Sequence, residues 1–227
     1  MKKKNKLYKF YLLSLAVIIL DQVVKLAVHY NMDLGLPGEI KIFGDWFKIH
    51  YVLNPGMAFG LKLGSSYGKL ILTLFRLLAT VGIAWYMAVL VKREAHSGLV
   101  WCVALILAGA IGNVLDSTFY GVFLSNAPVG APTPWFHGQV IDMIYLDIWE
   151  GHLPNWIPFI GGKYYALWPI FNIADSSIFV GVAIILIMQR RFFKEPEKEG
   201  KKSEDNKEIA EEQSGKEQTG EGQTSTT

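Results

Sequence analysis

Four apolar runs, at about 10–30, 70–91, 99–120 and 168–189, constrain this chain more than any other feature. At about 1.5 Å of rise per residue, a helix of some 20 residues crosses a hydrocarbon core roughly 30 Å thick. Hydrocarbon offers backbone N–H and C=O groups no partner, so runs of this length satisfy themselves as helices. Hydrophobic residues make up 51% of the chain, and they are gathered into these blocks instead of being spread at amphipathic spacing. The expected fold is an all-α membrane protein with four transmembrane helices.

The first run follows MKKKNKLYKF, so it imitates the basic and apolar regions of a secretory signal peptide. It continues past Asp21 to about Tyr30 with no small-x-small cleavage site, which reads as a retained signal-anchor. After it, EIKIFGDWFKIHYVLN alternates apolar and polar residues on both sides of Gly44-Asp45, the pattern of a half-buried hairpin. A small extramembrane β-sheet on the outer face is expected there. The hairpin leads into NPGMAFG, Asn54 to Gly60, where Pro55 and two glycines break regular pairing and allow close backbone approach; a simple loop is the other reading. In the third run Ala104, Ala108 and Gly112 recur at four-residue spacing, which lets a neighbouring helix come close. Beyond it SNAPVGAPTPWF reads as an irregular external loop, and LPNWIPFIGGKYYALWP has the tryptophans and tyrosines of a membrane interface.

Basic residues set the orientation. The N-terminal lysines, Lys92-Arg93 and Arg190-Arg191-Lys194 fall on one side of a four-span topology, and that side is expected to be cytoplasmic. Both termini then lie inside, while segments 31–69 and 121–167 face outward. Residues 1–193 form the membrane domain. Residues 194–227, rich in Glu, Lys, Gln, Ser, Thr and Gly, are expected to be a disordered cytoplasmic tail.

A net charge of +2 raises no nucleic-acid reading. The single cysteine, Cys102, excludes an intrachain disulfide and a CxxC site, and its apolar surroundings give it a packing role. HExxH, P-loop and GxGxxG motifs are absent and the histidines lack ligand spacing, so metal and nucleotide chemistry are not expected.

Polar residues within apolar runs are costly and become site candidates by default. Counted along the helices, Asp21 and Lys25, Asn113 and Asp116, and Asn172 and Asp175 all fall near the outer end, and Asp142 follows an external loop. Asp21 and Lys25 are four apart on one face, which suits either a structural ion pair or contact with a substrate. Asn113/Asp116 and Asn172/Asp175 are each three apart, and the first pair too has a structural reading. Asp142 and Asp175 have no cation nearby in sequence, so burial would raise a carboxyl pKa and let the two share one proton. That state suits a base toward water and an acid toward a peptide carbonyl.

Five pieces, DQVVK (21–25), NPGMAFG (54–60), GAIGNVLDS (109–117), GQVID (138–142) and FNIADSSI (171–178), occur in an order that resembles the lipoprotein signal peptidases, or signal peptidase II. The resemblance implies an integral-membrane aspartyl endopeptidase that removes the signal peptide from diacylglyceryl-modified prolipoproteins, cutting N-terminal to the lipidated cysteine. It implies Asp142 and Asp175 as the catalytic pair, supported by Asn113 and Asn172, with Asp21, Lys25, Asn54 and Gly56 lining the substrate site and Asp116 in a supporting position. It further implies no metal or cofactor, membrane lipid and lipid-modified prolipoproteins as partners, a monomer, and a site near the outer face of the bacterial cytoplasmic membrane. Two departures stand out: Ser117 occupies the place where the family usually has arginine, and the loop before Gly138 is long. Arg76, the buried cation of the second run, is expected to pair with Asp116 in that arginine's place, or else to reach outward to headgroups. The rival function is a proton-coupled membrane transporter, which also gathers acids in a bundle but needs them through the full depth.

Overall fold

A computed structural model of the chain describes residues 4–56, 67–156 and 161–193. Residues 57–60 of the NPGMAFG piece and the tail expected to be disordered lie outside the described residues. Among those described, four helices are long and apolar enough to cross a membrane. They are α1 (Lys4–Asn31), α2 (Gly68–Lys92), α3 (Ser97–Leu115) and α5 (Ile173–Phe192). A π-helical turn, Asp116–Tyr120, and the one-turn α4, Gly121–Phe123, carry the α3 axis outward. Side chains such as Leu78, 72% exposed, and Ile187, 82% exposed, point away from the bundle, as they would toward lipid.

Short connections force α2 and α3 to lie antiparallel. After Lys92 the chain turns through Glu94 at φ 55, and Ala95 N–H donates back to Leu90 O at 3.0 Å. This left-handed cap satisfies carbonyls that the helix end would leave bare. His96 then caps α3 by accepting from Gly98 N–H at 3.1 Å. A cluster of Phe10, Met87, Leu90, Leu107 and Phe192, with Cys102 in it, fills the bundle toward this end.

The helices also meet through small residues and hydroxyls, the contacts that hold bundles together where lipid gives no hydrophobic drive between helices. Ser14 Oγ donates to Ala104 O at 2.8 Å, joining α1 to α3, and Ser177 Oγ donates to Leu105 O at 2.6 Å, joining α5 to α3. Ala104 and Ala108 are buried, as their spacing suggests, but the tightest approach of α5 is at Gly109. A β-carbon there would sit 2.2 Å from Ala174 O.

The larger sheet has three antiparallel strands in the order β1 (Ile40–Phe43), β2 (Phe47–Asn54) and β3 (Val140–Leu146). The hairpin turns where the sequence places it, at Gly44-Asp45. The third strand is the Asp142 segment itself, paired in register Val52↔Asp142 and Asn54↔Val140 after an irregularity between Ile49 and Val52. β3 seats Ile141 and Met143 in a second cluster with Val28, Tyr51 and Tyr120. A separate ribbon pairs β4 (Glu150–His152) with β5 (Tyr164–Ala166). The fourth spanning helix begins at Ile173, later than the apolar run at 168. Phe171 explains the delay: it exchanges N–H···O bonds of 2.8 and 3.0 Å with Ile144, a β-bridge to the sheet that keeps this residue out of the helix.

One ammonium ties α1 to the end of α3, and its carboxylate partner Asp21 reaches on to α5. Lys25 Nζ lies 2.8 Å from Asp21 Oδ2 and 2.7 Å from Asp116 Oδ2, and all three side chains are buried. Gln22 Nε2 adds bonds to Asp21 Oδ2 at 3.1 Å and Asp116 Oδ1 at 2.9 Å, and its Oε1 accepts from Tyr120 Oη at 2.9 Å. Asp21 Oδ1 accepts from Ala174 N–H at 2.9 Å, so a carboxylate faces the N-terminal turn of α5, where the helix dipole favours it. The cation of Asp116 is thus Lys25 and not Arg76. Lys25 comes from the helix directly across from Asp116, and its ammonium is already placed there by Asp21 one turn away.

Replacing Lys25 by Met leaves two buried carboxylates without their cation and should lower stability by about 3–5 kcal/mol, with partial recovery in Lys25→Met/Asp116→Asn. Thermal unfolding in detergent reads this, and strictly additive effects would exclude the coupling. Gly109→Ala should cost about 1–3 kcal/mol by pushing α5 off Ala174 O, whereas Gly82→Ala, with open space at the added carbon, should be neutral or slightly stabilising. Equal melting temperatures for these two variants would refute the close-approach account.

Candidate functional site

The site is assembled from two paired strands and three helices. Asp142 is carried on β3, buried to 1% exposure, with neighbours Ile141 and Met143 directed into the apolar cluster. Asp175 sits in the first turn of α5 and is only half-buried. Asn172, just before that helix, joins them. Its Nδ2 donates to Asp142 Oδ1 at 2.6 Å, its backbone N–H donates to Asp175 Oδ2 at 3.3 Å, and its Oδ1 accepts from Asp175 N–H at 2.8 Å. The last two bonds are the reciprocal pattern of a helix cap, so the residue that starts α5 also orients both carboxyl groups.

Asn113 holds Asp175 from the other side, donating from Nδ2 to Oδ1 at 2.8 Å. Its own Oδ1 accepts from Lys25 Nζ at 3.1 Å and from Asn172 Nδ2 at 3.1 Å. Each amide therefore has its orientation fixed by a group that can only donate, the Lys25 ammonium for Asn113 and the Asp175 backbone N–H for Asn172. On the β2 side Asn54 Nδ2 donates to Asp142 Oδ2 at 3.0 Å, and Asn54 Oδ1 accepts from Gly56 N–H at 2.8 Å. Gly56 has φ 91, a backbone region that favours glycine. One connected set of hydrogen bonds and ion pairs thus brings together all nine candidate residues: Asp21, Lys25, Asn54, Gly56, Asn113, Asp116, Asp142, Asn172 and Asp175.

Burial raises the Asp142 carboxyl to about 7, aided by the negative charge of Asp175 beside it and opposed by the hydrogen bonds from Asn54 and Asn172. The buried member of the pair thus tends to keep its proton near neutral pH. The other stands at the more open side. Such a pair offers an O–H donor and a carboxylate acceptor joined through Asn172, the equipment for general acid–base attack of water on a carbonyl.

The long loop before β3 is tied down at several points. Ser117 O and Thr118 O, in the π-helical turn, accept from Gly138 N–H at 3.0 Å and Phe136 N–H at 3.2 Å. Asn126 and Gln139 clasp one another through three bonds of 2.8 to 3.1 Å, and Thr73 Oγ1 on α2 donates to Phe136 O at 2.9 Å. These contacts fix where β3 begins, and hence Asp142. Gln22 is a participant that sequence reasoning passed over, although an amide inside an apolar run carries the same signal that marked Asn113. Lys69, at the start of α2, was missed because it stands at the edge of its run.

The signal peptidase (SPase) II family model matches residues 13–191. The lipoprotein signal peptidase of Amoebophilus asiaticus is 49% identical over 193 residues, which cover 85% of this chain and 82% of that protein. That of Porphyromonas gingivalis is 40% identical over 190 residues, 79% of this chain and 81% of the relative. Among solved structures, a bacterial membrane enzyme determined by the in meso method at 2.3 Å resolution matches with a TM-score of 0.54 and 26% identity, covering 84% of this chain and 93% of the other. A second such structure, at 1.9 Å resolution, matches with a TM-score of 0.52, also at 26% identity, over 80% of this chain and 92% of the other. Sequence and architecture point the same way, and the chain belongs to the signal peptidase II family.

Proposed function

We propose that this chain is an aspartyl endopeptidase of the bacterial cytoplasmic membrane that removes the signal peptide from diacylglyceryl-modified prolipoproteins, cutting N-terminal to the lipidated cysteine. The observation that carries the aspartyl assignment is the joining of Asp142 and Asp175 through Asn172. Lipoprotein signal peptidases among the relatives support the substrate class.

In this reading Asp175, the more accessible carboxylate, takes a proton from water as the water oxygen attacks the scissile carbonyl carbon. Asp142, protonated near neutral pH, donates to the carbonyl oxygen. Collapse of the tetrahedral intermediate breaks the C–N bond, and the cysteine nitrogen leaves with a proton returned from the pair. Asn113 and Asn172 hold both carboxyls in place through each step. One chain supplies both acids and their supports, so a monomer suffices. Among the described residues, the buried ionisable groups Asp21, Lys25, Asp116 and Asp142 cluster at one end of the bundle, which favours a peptidase over a transporter that passes protons through the full depth. The basic flanks support a reading with that end at the outer face and both termini in the cytoplasm.

Asp142→Asn and Asp175→Asn should each lower cleavage of a lipidated prolipoprotein peptide by at least about 10²–10⁴-fold while leaving membrane insertion unchanged. Substantial turnover by either variant would remove that residue from the mechanism. Because the acid form of Asp142 is the active one and its carboxyl lies at about 7, kcat/KM should fall as pH rises through that value. Asn54→Ala removes a bond that favours the ionised form, so the alkaline limb should move to higher pH; an unmoved limb would mean that another group titrates. For topology, Val129→Cys in a Cys102→Ala background should react with a membrane-impermeant thiol reagent applied from the outer side, and labelling from the cytoplasmic side alone would invert the orientation.

A further inference from the structure

We propose that Lys69 and Arg76 form a carboxylate-binding site beside the aspartate pair, which receives the new C-terminal carboxylate of the released signal peptide. This rests on the peptidase reading above. The two residues are seven apart on α2, two helical turns, and so share one face. Their tips, Lys69 Nζ and Arg76 Nη1, are buried and have no hydrogen-bond partner among the described residues. Both converge on Gly56, where an added β-carbon would lie 3.3 Å from Lys69 Nζ and 3.4 Å from Arg76 Nη1. From Gly56 the connection to Asp142 is two hydrogen bonds long, through Asn54.

The carboxylates that could have neutralised these cations are otherwise engaged. Asp116 is paired with Lys25 and bonded by Gln22. Asp142 accepts from Asn54 and Asn172, and Asp175 accepts from Asn113 and the Asn172 N–H. Asp175, Asp142 and Asp116 act on Arg76 only at longer range, and Arg76 and Lys69 repel one another. Buried cations held side by side without a direct partner are costly, and an incoming anion relieves the cost.

The reaction supplies such an anion. The scissile peptide bond is neutral; hydrolysis adds one water, breaks the C–N bond and yields R–COO⁻ on the upstream fragment and H₃N⁺–R′ on the cysteine. That carboxylate is formed next to a pair of acids that carries one negative charge, and repulsion alone would only scatter it. Guanidinium and ammonium donors a short distance away, toward Gly56, give it a defined place, since carboxylate geometry suits the arginine fork. A side chain at Gly56 would crowd both buried cation tips and Leu72 Cδ2, which lies 2.8 Å from an added β-carbon, so glycine there keeps the two donors unobstructed on that side.

The test is binding, read without turnover. Two synthetic peptides that reproduce the released signal peptide, one ending in a free carboxylate and the other in an amide, are titrated into the full chain in phosphatidylcholine-containing detergent micelles. The wild-type protein should bind the carboxylate form at least about tenfold more tightly. Lys69→Gln/Arg76→Gln should bind both peptides like the amide, and Arg76→Lys should retain part of the preference. Equal affinity of the wild type for both endings overturns the proposal, and this arm stands even if the double variant does not fold. A preference that survives in a folded double variant also overturns it. So does an outcome in which the peptide ending makes no difference and phosphatidylglycerol alone raises the melting temperature in a manner lost with the two cations, because the site then serves a lipid phosphate. Failure of the peptidase reading is a separate result, seen as no cleavage of the lipidated substrate by the wild-type protein.

Discussion

A single ammonium, Lys25 Nζ, buried between the carboxylates of Asp21 and Asp116, is the contact on which the rest of the site depends. Removing three charges from water costs several kcal/mol per ion, and their mutual attraction offsets this only with good geometry and further hydrogen bonds. The further bonds come from Gln22, Asn113 and the Ala174 N–H, one on each of the three helices involved. The interaction therefore fixes position more than it adds stability. Slide or rotate α1, α3 or α5, and at least one buried charge loses its partner.

That fixed arrangement is handed on to the acids by amides. Lys25 orients Asn113, Asn113 orients Asp175 and Asn172, and Asn172 reaches Asp142. The two carboxyls differ in mounting. Asp175 belongs to a helix whose first turn is capped locally, while Asp142 belongs to a strand held by β2, by Phe171 and by the loop that precedes it. Difference in mounting becomes difference in chemistry: the strand buries Asp142 and raises its carboxyl, and the helix end leaves Asp175 partly open. The same side chain thus stands in two unlike surroundings, as the proposed acid and base roles require.

How much of this was legible in the sequence follows from what each signal measures. Run length reports helices, and depth counted along them put Asp21, Asn113, Asp116, Asn172 and Asp175 in one layer, which is where they lie. Depth says nothing about the direction a side chain faces around its helix. For that reason Arg76 was matched with Asp116 by depth, whereas the structure gives Asp116 to Lys25 and turns Arg76 toward Gly56. Alternation revealed the hairpin around Gly44-Asp45 because its strands are adjacent in sequence. It could not reveal that GQVIDMIY pairs with β2, since that register, Val52↔Asp142, joins segments far apart in the chain. The delayed start of α5 was hidden for the same reason: Phe171 is held by the distant Met143 and Ile144.

The loop before β3 bears on one acid and not on the other. Its carbonyl and amide contacts run to the π-helical turn, to Thr73 on α2 and, through Asn126, to Gln139 at the head of β3. A π-helical turn shifts backbone bonding by one residue, and such turns are found where a helix must present groups to something outside itself. Here it presents Ser117 O and Thr118 O to the loop. The position of Asp142 is therefore set by contacts that are all non-local, each closing a long stretch of chain at an entropic cost. Asp175 needs only its own cap and Asn113. Of the two acids, the strand-borne one is accordingly the more exposed to change in the loop before β3, and the interlocking bonds around Asn126 and Gln139 hold the chain where it enters that strand.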